Sequence, residues 1–257
     1  MTKKEQRHRL SLIIATLGPS TDDPKELDIM IIAGIARQWT DGVDIARVVF
    51  NDGHLAVINR VDAFREQSEK RKADTSVYLD IDDKDDSNFS EYLKMADEIN
   101  PKYIAIPKQF GVERITEAKK KLNNTIQIGV RVKPDDNIDN LEIFFDKSDF
   151  AMIEIDSKLI ADNKIVRKAK ENNCEPIYLA KMPTLMKGQV QSRDENFEIG
   201  HTLEEGFDIV ALYEETSHGP YPARSVKCLD EIAVESEKLR FNPFTDFINK
   251  IFSFFKK

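Results

Sequence analysis

Eight short apolar runs recur along this 257-residue chain, and a stretch with helical periodicity follows each of them. The runs fall near 11–15, 43–49, 76–80, 102–106, 126–132, 149–155, 175–180 and 207–212. Helical candidates occupy 24–37, 54–70, 89–98, 112–122, 136–145, 158–172, 195–205 and 222–238. Runs this short and this uniformly apolar suit strands buried on both faces, the condition of parallel sheets. Parallel neighbours need crossover connections, and the intervening helices supply them. Eight such units in a chain of about 250 residues predict a single (β/α)8 barrel of TIM type over residues 1–240. In such a barrel the functional groups gather at the carboxyl ends of the strands.

Composition narrows the function classes. No run of about 18 apolar residues exists, so no spanning helix is expected. The basic start, Met1 to Arg7, leads into no signal-peptide apolar region, so no secretion signal is read. Cys174 and Cys228 are too few for a disulfide framework and lack metal-type spacing, which predicts a reduced, cytoplasmic setting. A formal net charge of -8 argues against nucleic acid as a partner.

Two of the runs end abruptly in polar and glycine residues: Ile13 to Thr21 (IIATLGPST) and Ile45 to His54 (IARVVFNDGH). They resemble the first two strands of pyruvate kinase, "IxATxGPxS" and "xxARxNFSHG". Five further pieces resemble the same family in the same order. They are Tyr78-Leu79-Asp80, Ile126 to Lys133, Ser148 to Asp156, Pro176 to Met182, and Glu204 to Leu212 with Glu215-Thr216 and Gly219 to Pro222. The resemblance implies a pyruvate-kinase-type barrel. It also marks two departures. The family's lid domain follows the third strand, whereas here Asp80 runs through residues 81–88 into the next helix. A counterpart of the family's C-terminal domain is likewise not expected.

Phosphoryl transfer depends on positioning and charge neutralisation. In the family a strand-five Glu and an Asp after strand six hold a divalent metal. A strand-five Lys steadies the transferring group, a strand-seven Thr lies near the proton-transfer step, and a strand-two Arg contacts phosphate. Carried onto this chain, Arg47 keeps the phosphate arginine and Arg131 replaces the lysine. A planar guanidinium is not equivalent to a point-charge ammonium. Lys133 stands where the metal-binding Glu belongs, Ser157 where the Asp belongs, and Lys181 where the Thr belongs. The resemblance thus implies that the magnesium and potassium sites are lost, with Asp80, Glu154 and Asp156 as remnant carboxylates, and that no cofactor is required.

Two readings of these cations stay open. Arg47, Arg131, Lys133 and Lys181, with Lys108 nearby, form a metal-free pocket for a small phosphate or carboxylate. Otherwise they pair with Asp80, Glu154 and Asp156 in a structural network. The function expected is a degenerate barrel without pyruvate kinase activity, acting by anion binding or as an interaction scaffold. The alternative is an active enzyme on pyruvate or phosphoenolpyruvate: a lyase or aldolase with Lys181 as Schiff-base nucleophile, or residual phosphotransfer.

Residues 241–257 carry a separate signal. Asn242-Pro243 reads as a helix start, and Phe244, Phe247, Ile248, Ile251, Phe252 and Phe255 then recur at helical spacing beside Lys250, Lys256 and Lys257. This predicts an extra amphipathic helix. It packs on the barrel, docks a protein partner or, less favoured, lies on a membrane surface. Trp39 is read as packing, His54 as a helix start, His218 as non-catalytic, and Asp82 to Asn88 as a solvated linker.

Overall fold

The computed structural model describes residues 9–33, 42–50, 53–81, 86–133, 140–154 and 164–240. Eight parallel strands close into a barrel in sequence order. They are β1 (Leu12–Thr16), β2 (Ile45–Val49), β3 (Ser76–Asp80), β4 (Tyr103–Pro107), β5 (Gln127–Val132), β6 (Phe150–Ile153), β7 (Glu175–Leu179) and β8 (Ile209–Leu212). The helices are α1 (Pro24–Ile31), α2 (His54–Arg71), α3 (Phe89–Ile99), α4 (Val112–Lys121), α5 (Leu141–Lys147), α6 (Lys164–Glu171), α7 (Arg193–Glu204), α8 (Glu214–Ser217) and α9 (Pro222–Arg240). The predicted alternation therefore holds. The short turn of α8 was not anticipated. The predicted helix over 241–257, with Trp39 and Asp156, lies outside the described residues.

Strand alternation divides the apolar residues into two cores. One set faces the helices, including Ile13, Ala46, Val48, Leu79, Ile104 and Val130. The other fills the barrel, including Ile14, Ile45, Tyr78, Tyr103, Phe150 and Met152. Inside, Tyr78, Tyr103 and Phe150 form an aromatic cluster with centroids 5.4–6.1 Å apart. Gly129 on β5 lies opposite Phe150 on β6. A Cβ at Gly129 would stand 2.4 Å from the Phe150 ring, so a bare backbone there lets the ring fill the lumen.

An ion network plugs the bottom, away from the strand carboxyl ends. Arg9 is fully buried just before β1. Its guanidinium donates to Asp230 Oδ1 on α9 at 2.7 Å, to Asp44 Oδ2 before β2 at 3.0 Å, and to the Gly42 carbonyl at 2.9 Å. Glu237 of α9 accepts the Leu10 and Ser11 backbone N–H groups at 2.7 Å each. Asp44 also accepts the Ile13 N–H at 2.7 Å. Arg9 thus has carboxylate partners and Glu237 backbone N–H partners, so each buried charge is satisfied, as burial demands. This end stabilises the barrel and leaves the opposite end for chemistry.

Candidate functional site

Parallel register brings the inward residues at the strand ends into one layer. Thr16 pairs in register with Arg47, and Val49 with Asp80. On the other side Pro107 pairs with Arg131 and Arg131 with Met152. Arg47, Asp80 and Arg131 share the inward parity of β2, β3 and β5 and meet through side-chain hydrogen bonds near the strand ends. They are 1%, 0% and 8% exposed.

These three side chains form one ion network. Asp80 Oδ2 accepts Arg47 Nε at 2.8 Å and Arg131 Nη1 at 3.1 Å, and the second Arg47 branch reaches the same oxygen. Arg47 Nη1 also donates to Thr16 Oγ1 at 3.0 Å, and the Thr16 hydroxyl donates a hydrogen bond to the Leu212 carbonyl at 2.7 Å. The Arg47 Cζ lies 4.7 Å from the Tyr213 ring centroid, a cation–π contact. Burial opposes the Arg131 charge, but the Asp80 carboxylate outweighs it, and the guanidinium pKa is raised. Directly beneath, Tyr78 donates to Met152 Sδ at 3.6 Å. Burial first, and then Asp80, push its phenol well above the ordinary range, so the layer below the arginines stays neutral. Asp80 Oδ1 is buried without a hydrogen-bond partner among the described residues.

The two lysines stand higher. Lys181, just beyond β7, is 66% exposed and pairs with Glu154 Oε1 at 3.1 Å. Lys133, just beyond β5, is half-buried. Lys108, after β4, lies 5.4 Å from the Phe144 ring centroid. A cavity of about 220 Å³ opens at the ends of β6, β7 and β8, lined by Glu154, Leu179, Lys181, Met186, Tyr213 and Glu215, among others. Arg47 and Arg131 do not line it. The arginines share a buried carboxylate, and Lys181 pairs with Glu154, whose charge also acts on Arg131.

Two retained motif residues do work that the sequence did not disclose. Glu215 is 4% exposed, and its carboxylate accepts the Met182 N–H at 2.5 Å. Thr216 Oγ1 accepts from Thr16 N–H at 3.0 Å and donates to the Thr16 carbonyl at 2.9 Å. Together they tie α8 to β1 and to the segment after β7. His218 contacts Ser217 Oγ at 2.8 Å, and His54 contacts Glu98 Oε2 at 3.1 Å on the exterior. His54 starts α2, as the sequence predicts.

The described residues do not fit a divalent metal. Asp80 faces two guanidiniums, Glu154 is engaged by Lys181, and Glu215 is committed to a backbone N–H. No group of three His, Cys, Asp or Glu side chains gathers around one point among the described residues.

No family model matches the chain. Two curated proteins do, both called pyruvate kinase isozyme G, chloroplastic. The one from Ricinus communis is 26% identical over 137 residues, which is 49% of this chain and 32% of the relative. The one from Nicotiana tabacum is also 26% identical over 137 residues, 49% of this chain and 24% of the relative. The matched region thus spans about a third or less of either relative. Joined to the closed parallel barrel, these matches identify the chain as a distant relative of pyruvate kinase over about half its length.

Proposed function

We propose that this barrel does not transfer phosphoryl groups and instead binds a small carboxylate or phosphate at its mouth, against Lys181. The observation that carries the reading is the pairing pattern: Asp80 is spent on two buried guanidiniums, while the Lys181 ammonium stands two-thirds exposed at the lip of a cavity of about 220 Å³. Phosphoryl transfer needs a dication or its equivalent beside the leaving oxygens, with water excluded. The carboxylates here are already engaged. Only residues 81–88 join β3 to α3, where the related enzymes carry their lid. An anion arriving at the rim exchanges with Glu154 for the Lys181 ammonium, and Leu179, Met186 and Tyr213 wall the cavity.

Schiff-base chemistry at Lys181 has less support. Such lysines sit in dry apolar pockets or beside other cations, whereas this one is solvent-facing and beside a carboxylate. The buried thiols of Cys174 and Cys228 suit a reducing compartment such as the cytoplasm, although both named relatives are chloroplastic. Among the described residues no helix is long and apolar enough to cross a membrane.

Calorimetric titration of the full chain with phosphoenolpyruvate, inorganic phosphate and oxalate tests the proposal. Saturable binding of at least one anion, abolished in Lys181→Gln, supports it. Absence of binding at millimolar concentration, or binding unaffected by that substitution, overturns it.

A further inference from the structure

Tyr213 stands between the rim cavity and the buried arginines. It follows β8 directly, and it lines the cavity together with Lys181. Its ring also lies over the Arg47 guanidinium and packs against the inner core of the barrel. Tyr213 is half-buried, whereas Arg47 behind it is 1% exposed and is absent from the cavity lining. The backbone that carries the ring is fastened. The Tyr213 carbonyl accepts the Ser217 N–H at 2.9 Å and the Ser217 hydroxyl at 2.8 Å. An aromatic face stabilises a desolvated guanidinium without adding a countercharge. The ring therefore serves Arg47 and also keeps it away from whatever occupies the cavity.

With Arg47 screened, Lys181 is the one cation among the described residues that line the cavity. Glu154, Glu214 and Glu215 line it as well. Glu154 pairs with the Lys181 ammonium, and Glu215 accepts the Met182 N–H. A single anionic group placed on Lys181 finds its partner there. A second anionic group finds carboxylates and no further cation, and like charges brought together are penalised. The rest of a ligand meets Leu179, Pro183 and Met186, which favour an apolar body.

We propose, resting on the anion site at Lys181, that Tyr213 is the residue that sets the charge of the ligand: it narrows the mouth to monocarboxylates with a small apolar body, against dianions. The ring does this by position. It closes the route by which a second anionic group would reach the Arg47 guanidinium, and it leaves that group facing Glu214 and Glu215.

Isobutyrate and methylmalonate form the matched pair for the test, since the second is the first with one methyl replaced by a carboxylate. Calorimetric titration of the full chain with each gives the ratio of their affinities. The wild type should favour isobutyrate by at least about tenfold, the effect of one unfavourable like-charge contact. Tyr213→Phe keeps the ring and should keep the preference. Tyr213→Ala opens the way to Arg47 and should shrink or reverse it, and adding Arg47→Met should remove what methylmalonate gained. Thermal melts show which variants are folded, and Tyr213→Leu replaces Tyr213→Ala if the latter is not. Suppose isobutyrate binds in a Lys181-dependent way, yet methylmalonate binds the wild type equally well, or the ratio is the same with and without the ring. The role of Tyr213 is then overturned and the Lys181 site stands. If neither anion binds, or if isobutyrate binding survives Lys181→Gln, the Lys181 site and the selectivity built on it both fall.

Discussion

Asp80→Asn keeps the shape of the side chain and removes the one charge that Arg47 and Arg131 share. Both guanidiniums then remain where they are, 1% and 8% exposed, without that carboxylate. Removing one partner of a buried ion pair costs about 3–5 kcal/mol, because the remaining charge stays desolvated. An unfolding entropy of about 2.1 cal/mol/K per residue gives roughly 0.5 kcal/mol/K over this chain, so the expected fall in Tm is about 6–9 °C. Scanning calorimetry of the wild type, Asp80→Asn, Arg47→Met and the double variant measures it. The double variant should lose less than the sum of the singles, with a coupling of at least about 1 kcal/mol, since residues in one network are not additive. A Tm shift under about 2 °C for Asp80→Asn, or strict additivity, would refute the reasoning. Asp80 would then not be what holds the arginines.

At the opposite end, Arg9→Ala strips Asp44 and Asp230 of their shared cation. Urea unfolding should show a loss of about 3–5 kcal/mol, with anion binding at the mouth retained in the folded fraction. Gly129→Val pushes a side chain into the Phe150 ring, and overpacking of this kind costs about 1–3 kcal/mol by urea unfolding. The thiols give a pH prediction. Burial pushes Cys174 up to about 12 and Cys228 up to about 11, both above the ordinary 9.0. Folding therefore favours the protonated thiols. Their contribution is complete below about pH 9 and fades as the pH climbs through 11 and 12, so alkaline unfolding should set in across that window. The native protein should also leave both thiols unmodified by a thiol reagent at pH 8, with both reacting once it is unfolded.

The barrel was legible because burial on both faces leaves its mark on every strand, and eight repetitions of that mark admit few architectures. The chemistry was less legible. Arg47, Asp80 and Arg131 were each visible as charged residues in apolar strands. Their pairing with Asp80 was one of two readings the sequence left open, because the contacts that decide between them join β2, β3 and β5 across 33 and 51 positions of sequence. Alternation did hold a clue: all three share the inward parity of Ile45, Tyr78 and Gly129. The same parity places Thr16 beside Arg47, a partnership hidden behind the turn-like look of the residues after it. Arg9 gave no local signal. It is one basic residue in a basic lead, and its partner Asp230 lies 221 positions away. Glu215 and Thr216 were read as the remains of a motif, and only the folded chain reveals that they tie α8 in place.

The central claim is that the charges at the barrel mouth serve one another and a small anion, not a metal-assisted phosphoryl transfer. Phosphorus NMR tests both halves in one tube. The full chain is incubated with phosphoenolpyruvate, ADP, magnesium and potassium, and the phosphoenolpyruvate and nucleotide resonances are followed over time. The account predicts a phosphoenolpyruvate line perturbed by binding, restored in Lys181→Gln, and no growth of ATP signals. Magnesium-dependent appearance of ATP, persisting in Lys181→Gln, would contradict it.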